Sequence, residues 1–295
     1  MMDVSVIYVN YNCSNLTINS IKSVIELTND ICYEIIVVDN NSTPNEKNII
    51  EDYCNTNNIK LIKSNSNLGF GKANNLATKY ASGKYLFFLN PDTYLINNAI
   101  KELFSFASNN DVTACGANLF SKQLKPIHSY WMLMPSISNE ISTLLCDIPL
   151  KIKHKNSYEH NHSKSPIEVA FTTGADLMIK QSIFKEMNGF DDSFFMYFEE
   201  TDLQYRIKKI GHKIYNLPKA KIVHLESQTL QSRTKKLELF FNSRKIFYHK
   251  HYSNTYLYTA NIILILTCIS RIILFSILFN KEKIFFWKTT LKQCL

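Results

Sequence analysis

The chain has 295 residues, of which 45% are hydrophobic and 20% charged, a composition that is typical of a globular protein and excludes wholesale disorder. Its length suits one large domain with an appendage. The formal net charge of +8 indicates an anionic partner, either a nucleotide, a membrane surface or nucleic acid. The seven cysteines are scattered without a C-x-x-C pair, which favours free thiols in a reducing compartment over a zinc site or a disulfide framework.

The first 118 residues alternate between apolar runs and helix-like segments. The apolar runs, typical of strands that a parallel sheet buries on both faces, predict strands at 4–10, 34–39, 59–62, 85–89 and 112–118. Four helices are predicted. They lie over 14–27, after a capping box at 43–46, between the third and fourth strands up to about residue 80, and over 97–108. The first strand follows the N-terminus without the basic and apolar regions of a cleaved secretion signal, so we expect none. This alternation predicts a doubly wound α/β sheet.

Three of the predicted strands end in polar residues. These residues are Asn10 and Tyr11, Asp39 and Asn40, and Asn90-Pro91-Asp92. Ligands of such sheets bind beyond the carboxyl ends of the strands, so this convergence predicts a nucleotide-sized pocket. Turn chemistry is the simpler account of Asn40 by itself, but it is a weaker account of Asp39 and Asp92 together.

A Gly69-Phe70-Gly71 motif follows the third predicted strand. It is not a dinucleotide-binding fingerprint, because the third glycine is absent and the first strand–helix turn holds no glycine. Two interpretations stay open: the backbone approaches a ligand closely here, or a helix simply begins.

The middle third is predicted to be less regular. Residues 122–135 show no clear period, and 151–164 form a polar, basic run. Its histidines, His154, His160 and His162, lack a familiar metal-ligand spacing, so a solvated loop and a mobile lid over the site are the alternatives. Regular structure is predicted again at 167–171, 176–179 and 182–187.

Residues 194–198 form an apolar and aromatic run that leads directly into two glutamates. A helix from Glu199 places Glu199, Asp202 and Arg206 near one face and turns Glu200 about 100° away. An exposed ion pair between Asp202 and Arg206 would contribute only about 0.3–0.5 kcal/mol. Adjacent acids behind an aromatic run favour a buried site, where desolvation raises the pKa of a carboxylate towards that of a general base. A solvated helix start is the alternative.

The helix is predicted to end at Gly211, before two short edge-like strands at 213–218 and 221–224. His224 closes the second strand. It is either a structural histidine or, opposite Asp92, a metal ligand.

Residues 256–279 are mostly apolar and long enough to span a bilayer. Arg271 argues against a simple span, because an arginine at mid-span costs about 2.5–3.5 kcal/mol on insertion scales. Lysines follow at 281, 283, 288 and 292. We therefore expect a hydrophobic hairpin or an interfacial helix on an anionic cytoplasmic leaflet. A true span is the second interpretation, and a tail packed on the globular domain is the third.

Six segments, in chain order, make this sequence similar to the family 2 glycosyltransferases of the GT-A fold, particularly the bacterial rhamnosyltransferase-like branch. They cover most of residues 3–228 and lie at 4–12, 36–42, 67–75, 88–93, 189–203 and 211–224. The resemblance implies a GT-A domain over 1–230, an α/β nucleotide-binding sheet with helices on both faces and a polar loop at about 150–166. A helical, membrane-associating tail would follow over 231–295.

For function, the resemblance implies inverting transfer of rhamnose or another hexose from a dTDP- or UDP-linked donor. The acceptor would be a saccharide or lipid-linked saccharide of cell-surface polysaccharide synthesis, at the cytoplasmic face of the inner (plasma) membrane. Mg²⁺ or Mn²⁺ would be the cofactor, since a hard divalent cation neutralises a departing diphosphate. Nucleic acid is not expected as a partner, because the basic residues concentrate in the 151–164 run and in the tail.

The resemblance also gives roles to single residues. Glu200, or its neighbour Glu199, stands where the family has its general base. Asp92 and His224 would bind the metal, and Gly174 and Ala175 would lie on the acceptor side. The donor-binding residues would be Asn10, Tyr11, Asp39 as the reader of the nucleotide base, Asn40, Asn67, Gly69, Asn75, Asp92, and Asn90 at a position where the family has an acid.

Two other functions stay open on the sequence. A nucleotidyltransferase also uses such a sheet and a metal-holding acid, although its glycine-rich, basic loop is missing after the first strand. A catalytically inactive, membrane-bound nucleotide-sugar sensor is the nonenzymatic alternative, because Asn90 and Glu200 depart from the family's acids. A turnover assay separates the sensor from an enzyme.

Overall fold

A computed structural model of the chain describes residues 2–225 and 233–294. Its strands are β1 (Val4–Asn10), β2 (Tyr33–Asp39), β3 (Lys60–Lys63), β4 (Tyr85–Leu89), β5 (Thr93–Leu95), β6 (Ala114–Phe120), β7 (Tyr130–Trp131), β8 (Ile167–Val169), β9 (Phe171–Thr172), β10 (Asp176–Lys180) and β11 (Ile214–His224). Its α-helices are α1 (Ser14–Leu27), α2 (Pro44–Thr56), α3 (Phe70–Thr78), α4 (Ala99–Asn109), α5 (Ile137–Leu144), α6 (Ile148–His154), α7 (Gln181–Glu186), α8 (Glu199–Lys209), α9 (Arg233–His251), α10 (Asn254–Ile277) and α11 (Lys281–Cys294). The predicted strand–helix alternation of the first third is confirmed, with β5 as an additional short strand.

The main sheet has the strand order β3-β2-β1-β4-β10-β6-β11-β5, and β8 pairs with β11. As predicted, β1 pairs in parallel with β2 and β4, but β10 runs antiparallel between β4 and β6. Because Asp176 pairs with Leu89, β10 begins at the edge where β4 ends. The residues just before Asp176 therefore lie at the carboxyl edge of the sheet, beside the polar strand ends.

Alternate residues of the central strands pack against helices on opposite faces of the sheet. In β1, Tyr8 belongs to a core shared with α1, α2 and α4, whereas Ile7 belongs to a core shared with α3, α7 and α8. Both side chains are fully buried. Burial on both faces is the reason why these strands are continuous apolar runs in the sequence.

Two local predictions in the sheet and its first helices are wrong. The two predicted edge strands form a single strand, β11, which has a bulge between Leu217 and Lys221 and lies between β6 and β5. The capping box is also absent, because Thr43 makes no side-chain cap bond. Glu46 instead accepts the N–H of Ser14 (2.8 Å), so it satisfies a free donor at the start of the neighbouring helix α1.

The middle third is more ordered than predicted. α5 is capped by Ser136, whose hydroxyl accepts the N–H of Asn139, and α6 occupies the first part of the predicted polar loop. His160 is buried, and the Asn118 amide donates to its Nε2 (3.0 Å) while its Nδ1 lies 3.3 Å from the Ser129 hydroxyl. Burial lowers the pKa of His160. These partners are distant in sequence, so no local pattern could show them.

The C-terminal helices pack on α5. Helices α10 and α11 form a hairpin, and α10 also contacts α5 and α9. A buried ion pair joins Glu140 of α5 to Arg244 of α9 (2.7 Å), and Asn261 of α10 accepts a hydrogen bond from the same guanidinium (2.7 Å). Arg271 donates to the carbonyl oxygen of Thr143 (2.7 Å), near the end of α5. The arginine that disfavours a simple span thus satisfies a free carbonyl of another helix.

Candidate active site

The carboxyl ends of β1 and β2 meet in a buried polar network. Asn10 and Asp39 are paired in register, and both are almost fully buried. The Asn10 amide donates to one Asp39 carboxylate oxygen (3.1 Å), and the Ser42 N–H donates to the other (3.2 Å). The side-chain oxygen of Asn10 accepts the Thr17 hydroxyl (2.8 Å). Asn10 is therefore used to orient Asp39, whereas Tyr11 is 41% exposed at the rim.

The loop before α3 is bound to the end of β2 and to the turn before α8. Asn40 donates to the Asn67 side-chain oxygen (3.0 Å) and to the Gly69 carbonyl (3.2 Å). Gly69 has a φ of +79°, and a Cβ there would lie 2.2 Å from the Phe195 carbonyl oxygen. The Phe70 N–H donates to that same oxygen (3.0 Å). The close approach that the structure shows at Gly69 is thus to the protein's own backbone, and donor binding by this loop stays a prediction.

Asn75 is also used within the fold. Its amide nitrogen donates to the Phe190 carbonyl (2.8 Å), and its amide oxygen accepts the Phe190 N–H (2.9 Å). The amide nitrogen also lies 3.2 Å from an Asp192 carboxylate oxygen. This clamp fixes the loop that leads towards α8, and the expected donor contact of Asn75 stays a prediction.

The end of β4 lies against the end of β11 because β5 pairs with β11. Thr93 is opposite His224 in antiparallel register. His224 Nε2 lies 3.3 Å from an Asp92 carboxylate oxygen, and the two side chains are 18% and 12% exposed. Carboxylate oxygen suits Mg²⁺ and Mn²⁺, and imidazole is a common metal ligand. Residues 2–225 and 233–294 hold no cluster of three such groups, so this pair fits a cation that takes its other ligands from substrate and water.

Gly174 and Ala175 connect this edge of the sheet to the start of α8. The Asn90 N–H donates to the Ala175 carbonyl (2.9 Å). A Cβ at Gly174 would lie 3.3 Å from Cγ and 3.5 Å from the carboxyl carbon of Glu200. Glycine therefore lets the backbone lie directly against the Glu200 carboxylate. Through these contacts the end of β4, the Gly174–Ala175 segment and Glu200 form one continuous site.

The two glutamates at the start of α8 have different surroundings. Glu199 is 4% exposed and packs near Gly71, and its Oε2 has no hydrogen-bond partner among the described residues. Glu200 is half-buried beside Gly174. Burial raises the pKa of both carboxyls, and the charge of Glu200 raises the pKa of Glu199 further. The more complete burial of Glu199 favours its protonated form, whereas Glu200 is partly open to solvent.

Asp202 is not the exposed ion-pair partner that its spacing predicts. It is fully buried and accepts hydrogen bonds from Arg206 (2.7 Å), Lys250 (2.8 Å) and His251 (2.7 Å). Burial by itself would raise the pKa of Asp202, but the hydrogen bonds of His251 and Lys250 and the charge of Arg206 hold it below its ordinary value. Lys250 and His251 belong to α9, so Asp202 anchors the helix of the two glutamates to the C-terminal region.

The sequence analysis did not identify two residues that hold the site together. Gln204 of α8 accepts the Thr172 N–H (2.9 Å) and donates to the Thr172 carbonyl (3.0 Å). Asp176 is fully buried and accepts the Ala117 N–H and the Thr173 hydroxyl (3.1 Å), and burial raises its pKa to about 7. Together they hold the loop between β9 and β10 against α8 and β6. An acid that opens an apolar strand was an available signal for Asp176, but no local signal marks Gln204.

The fold is that of the GT-A glycosyltransferases, as the sequence predicted. The crystal structure of GalNAc-T7 with UDP, GalNAc and Mn²⁺ is similar with a TM-score of 0.61 and 16% identity, covering 84% of this chain and 48% of that one. The crystal structure of S. aureus TarS is similar with a TM-score of 0.57 and 16% identity, covering 90% of this chain and 43% of that one. At this identity the likeness concerns the fold alone, and the chain spans about half the length of either structure.

Residues 5–187 match Glycosyl transferase family 2, and because this is more than half of the 295 residues, the chain belongs to that family. It is 28% identical to Rhamnosyltransferase WbbL of Escherichia coli (strain K12) over 215 residues, which cover 69% of this chain and 78% of the relative. It is 25% identical to the Low-salt glycan biosynthesis hexosyltransferase Agl10 of Haloferax volcanii over 211 residues, covering 70% of this chain and 62% of that relative. The family match ends before α8 and so does not include Glu200.

Proposed function

We propose that the protein is an inverting glycosyltransferase that moves rhamnose or another hexose from a dTDP- or UDP-linked donor. The acceptor is a saccharide or a lipid-linked saccharide in cell-surface polysaccharide synthesis. The observation that carries the proposal is the position of Glu200, a desolvated carboxylate that lies against Gly174 at the edge of the sheet where β4 ends. Family membership supports the reaction class, and the name of the Escherichia coli relative makes rhamnose the first sugar to test.

In this mechanism Glu200 is the general base. Its raised pKa makes it a stronger base than an exposed glutamate, and it takes the proton of an acceptor hydroxyl as that oxygen attacks the anomeric carbon. The bond to the acceptor oxygen forms while the bond to the diphosphate oxygen breaks on the opposite side of the carbon, so the configuration inverts. One base is sufficient for a single displacement.

On the donor side, Asp39 accepts hydrogen bonds from the nucleotide base, since Asn10 and Ser42 already fix the direction of its carboxylate. Asp92 and His224 are the residues that would hold Mg²⁺ or Mn²⁺, as their separation of 3.3 Å allows. A divalent cation there supplies positive charge to the departing diphosphate. The Asn90 backbone keeps the Gly174–Ala175 segment, and thereby the acceptor, close to this edge.

We propose that the protein contacts the cytoplasmic face of the inner membrane, and α10 supports the membrane contact. This helix is long and apolar enough to cross a membrane by length and composition, and 17% of its apolar window is buried. Its exposed apolar side chains recur every three or four residues and so form one face: Tyr258, Ile262, Leu266, Ile269, Ile273 and Ile277. A second exposed stripe runs along α5 and α6 and consists of Ile141, Leu145, Ile148 and Ile152.

The packing of α10 favours contact with one leaflet over a crossing. Its other face, which includes Leu257, Ala260 and Leu264, is buried in the protein, so lipid cannot surround the helix. Exposed lysines flank the apolar surface at 151, 153, 155, 281 and 283. Such a surface binds an anionic interface through its apolar side chains and its positive charges, which would bring a lipid-linked acceptor to the site.

The proposal is tested by measuring nucleoside-diphosphate release from dTDP- and UDP-sugars with a lipid-linked saccharide acceptor. We expect release from one donor, and we expect Glu200→Gln to lower kcat by about 10²–10⁴-fold because the base is lost. Glu199→Gln is the matched control and should retain most of the activity, because glutamine resembles the protonated acid. Loss in Glu199→Gln alone would move the base by one residue. Binding of nucleotide without release from any donor would favour the sensor.

The metal is tested by the binding of dTDP and UDP to the wild type with Mn²⁺ and with a chelator. We expect the chelator to weaken binding to the wild type by about tenfold or more, because charge neutralisation of the diphosphate is lost. Asp92→Ala should bind weakly in both conditions. Asp30→Ala, which removes a carboxylate with 69% of its side chain exposed, should behave as the wild type does. Equal binding with and without chelator would contradict the metal site.

A further inference from the structure

Two consecutive aromatic residues precede α8 in the left-handed conformation. Tyr197 has a φ of +68° and Phe198 a φ of +67°. Residues with a Cβ seldom adopt this region, and bulky ones least of all, so the turn is strained and needs support from its surroundings. The turn leads directly into Glu199 and Glu200. Its conformation therefore sets the directions in which the two carboxyl groups point.

The support comes from α9, which packs on the turn. The Phe198 ring lies 5.2 Å from the Phe240 ring and 5.5 Å from the Phe247 ring, measured between centroids. Ser243, which is almost fully buried, donates its hydroxyl to the Met196 carbonyl (2.8 Å). One helix thus holds both the backbone and a side chain of the turn.

The same helix holds α8 again one turn further along. Lys250 and His251, at the end of α9, bind the buried carboxylate of Asp202 at 2.8 and 2.7 Å. Lys250 also pairs with Asp191, which lies before the turn. Phe194 and Phe247 belong to one buried apolar cluster. The segment from Asp191 to Asp202 is therefore fixed to α9 at both ends and in the middle.

We infer that α9 is a positioning element for glycosyl transfer, because it keeps Tyr197 and Phe198 left-handed and so aims the Glu200 carboxylate at the acceptor hydroxyl. This inference rests on the proposed role of Glu200 as the base. Ser243 and Phe247 act through the turn and are positioning residues. When their support is weakened, the turn relaxes and the base leaves the line of proton transfer, while the donor site at β1, β2 and β4 is unchanged.

The test is the kinetics of Ser243→Ala, measured with donor and acceptor well below the unfolding temperature. We expect kcat to fall about tenfold. The KM for the donor should stay within about twofold of the wild-type value, because only an interaction made in the transition state is affected. The matched control is Thr267→Val, which removes a buried hydroxyl that bonds to the Ile263 carbonyl within α10 and should leave kcat unchanged. The inference would be overturned if only the donor KM rises, or if kcat does not change.

A second background separates positioning from general destabilisation. Glycine adopts the left-handed conformation without strain, so Tyr197→Gly should make the turn less dependent on α9. We expect Ser243→Ala to lower kcat by less than about threefold in the Tyr197→Gly background, which is a non-additive pair. The same tenfold loss in both backgrounds would mean that Ser243 acts independently of the strained turn, and the inference would fail.

Hydrogen–deuterium exchange gives a readout that does not depend on activity. Peptides that cover residues 194–203 should exchange faster in Ser243→Ala than in the wild type and in Thr267→Val, whereas β4 peptides should not change. Unchanged exchange at 194–203 would overturn the positioning by α9. If exchange at 194–203 is faster in Ser243→Ala but the wild type transfers no sugar, then α9 does position the turn and the proposed reaction is refuted.

Discussion

At the scale of single residues, the two glutamates of α8 are neighbours in sequence but differ in chemistry. The helix turns their side chains about 100° apart, so one faces the packed interior and the other faces Gly174. Burial favours the neutral form of Glu199, and the charge of Glu200 beside it acts in the same direction. Among the described residues the buried Oε2 of Glu199 has no hydrogen-bond partner. The two carboxyls thus have different environments, and in the proposed mechanism Glu200 is the base.

The pH dependence of catalysis follows from the raised pKa of Glu200. A general base works only when ionised, so we expect kcat/KM of the wild type to begin to fall with decreasing pH above 4.5, the ordinary pKa of glutamate. The Glu199→Gln variant should keep this acidic limb above pH 4.5, because burial, and not the neighbouring glutamate, is the largest cause of the raised pKa of Glu200. The measurement is a pH–rate profile of nucleotide release. An acidic limb at 4.5 in the wild type would show that Glu200 is not a desolvated base.

The proposed site residues differ in how much their residue type reveals. Acids at strand ends or behind an aromatic run, such as Asp39, Asp92 and Glu200, remain the predicted functional groups, because a carboxylate is costly to place there without a partner. Asn75 and Gly69 stand in equally suggestive segments, yet they serve contacts with Phe190 and Phe195. An amide or a glycine suits a backbone contact and a ligand contact equally well, so the sequence could not separate the two.

At the scale of elements, α8 is defined by what it packs against. Its residues Gln204 and Asp202 bind β9 and α9 respectively, so the helix joins the sheet to the C-terminal region. The i, i+4 spacing of Asp202 and Arg206 predicted an exposed ion pair. The structure instead buries Asp202 completely, because α9 covers this face of α8 and brings Lys250 and His251, which donate two further hydrogen bonds to the carboxylate.

Removal of this buried charge should destabilise the fold. We expect Asp202→Asn to lower the free energy of unfolding by about 3 kcal/mol, because Lys250, His251 and Arg206 lose a shared anionic partner. The matched control is Glu168→Gln on a surface where the carboxylate is 43% exposed to solvent and pairs with Lys213, and it should cost less than about 1 kcal/mol. Denaturant-induced unfolding at neutral pH measures both.

The same experiment has a pH signature. The folded-state pKa of Asp202 lies below the ordinary 3.8, so its contribution to stability is complete above 3.8 and is lost as the pH falls through the lower folded value. The stability difference between wild type and Asp202→Asn should therefore shrink under strongly acidic conditions. A difference that is constant down to the acid transition, or equal costs for the two variants at neutral pH, would contradict the anchoring role.

At the scale of the whole molecule, the helices that follow the transferase sheet combine with α5 and α6. The Glu140–Arg244 ion pair and the Arg271 contact fix α10 on the protein, so the apolar face of α10 and the stripe on α5 and α6 belong to one rigidly supported surface. A surface of this kind can insert into a leaflet without unfolding.

We expect the wild-type protein to bind vesicles of phosphatidylcholine with phosphatidylglycerol and to bind pure phosphatidylcholine vesicles more weakly, because lysines flank the apolar face. The double variant Ile262→Glu with Ile273→Glu should lower the bound fraction about tenfold in a flotation assay. Its control, Ile25→Glu with Tyr80→Glu, changes two exposed apolar residues elsewhere and should bind normally. A different result would assign this face to self-association: the wild type forms dimers in light scattering, the Ile262→Glu and Ile273→Glu variant does not, and neither protein binds vesicles.

The sequence by itself determined the apolar strands of the first third and the helices between them, the order of the polar strand ends and the family resemblance. Strands that are buried on both faces must be apolar along their length, so a local run of residues is sufficient to reveal them. The apolar length of α10 is likewise a local run of residues, so the sequence alone showed it.

Only the tertiary structure decided how these elements meet. The antiparallel insertion of β10, the single strand β11, the burial of Asp202 and the packing of α9 on the strained turn each depend on partners that are distant in sequence. Hydrogen bonds and burial between such partners leave no periodic pattern in either segment. Which glutamate is the base, and what holds it in place, are therefore set by the environment that the folded chain builds around α8.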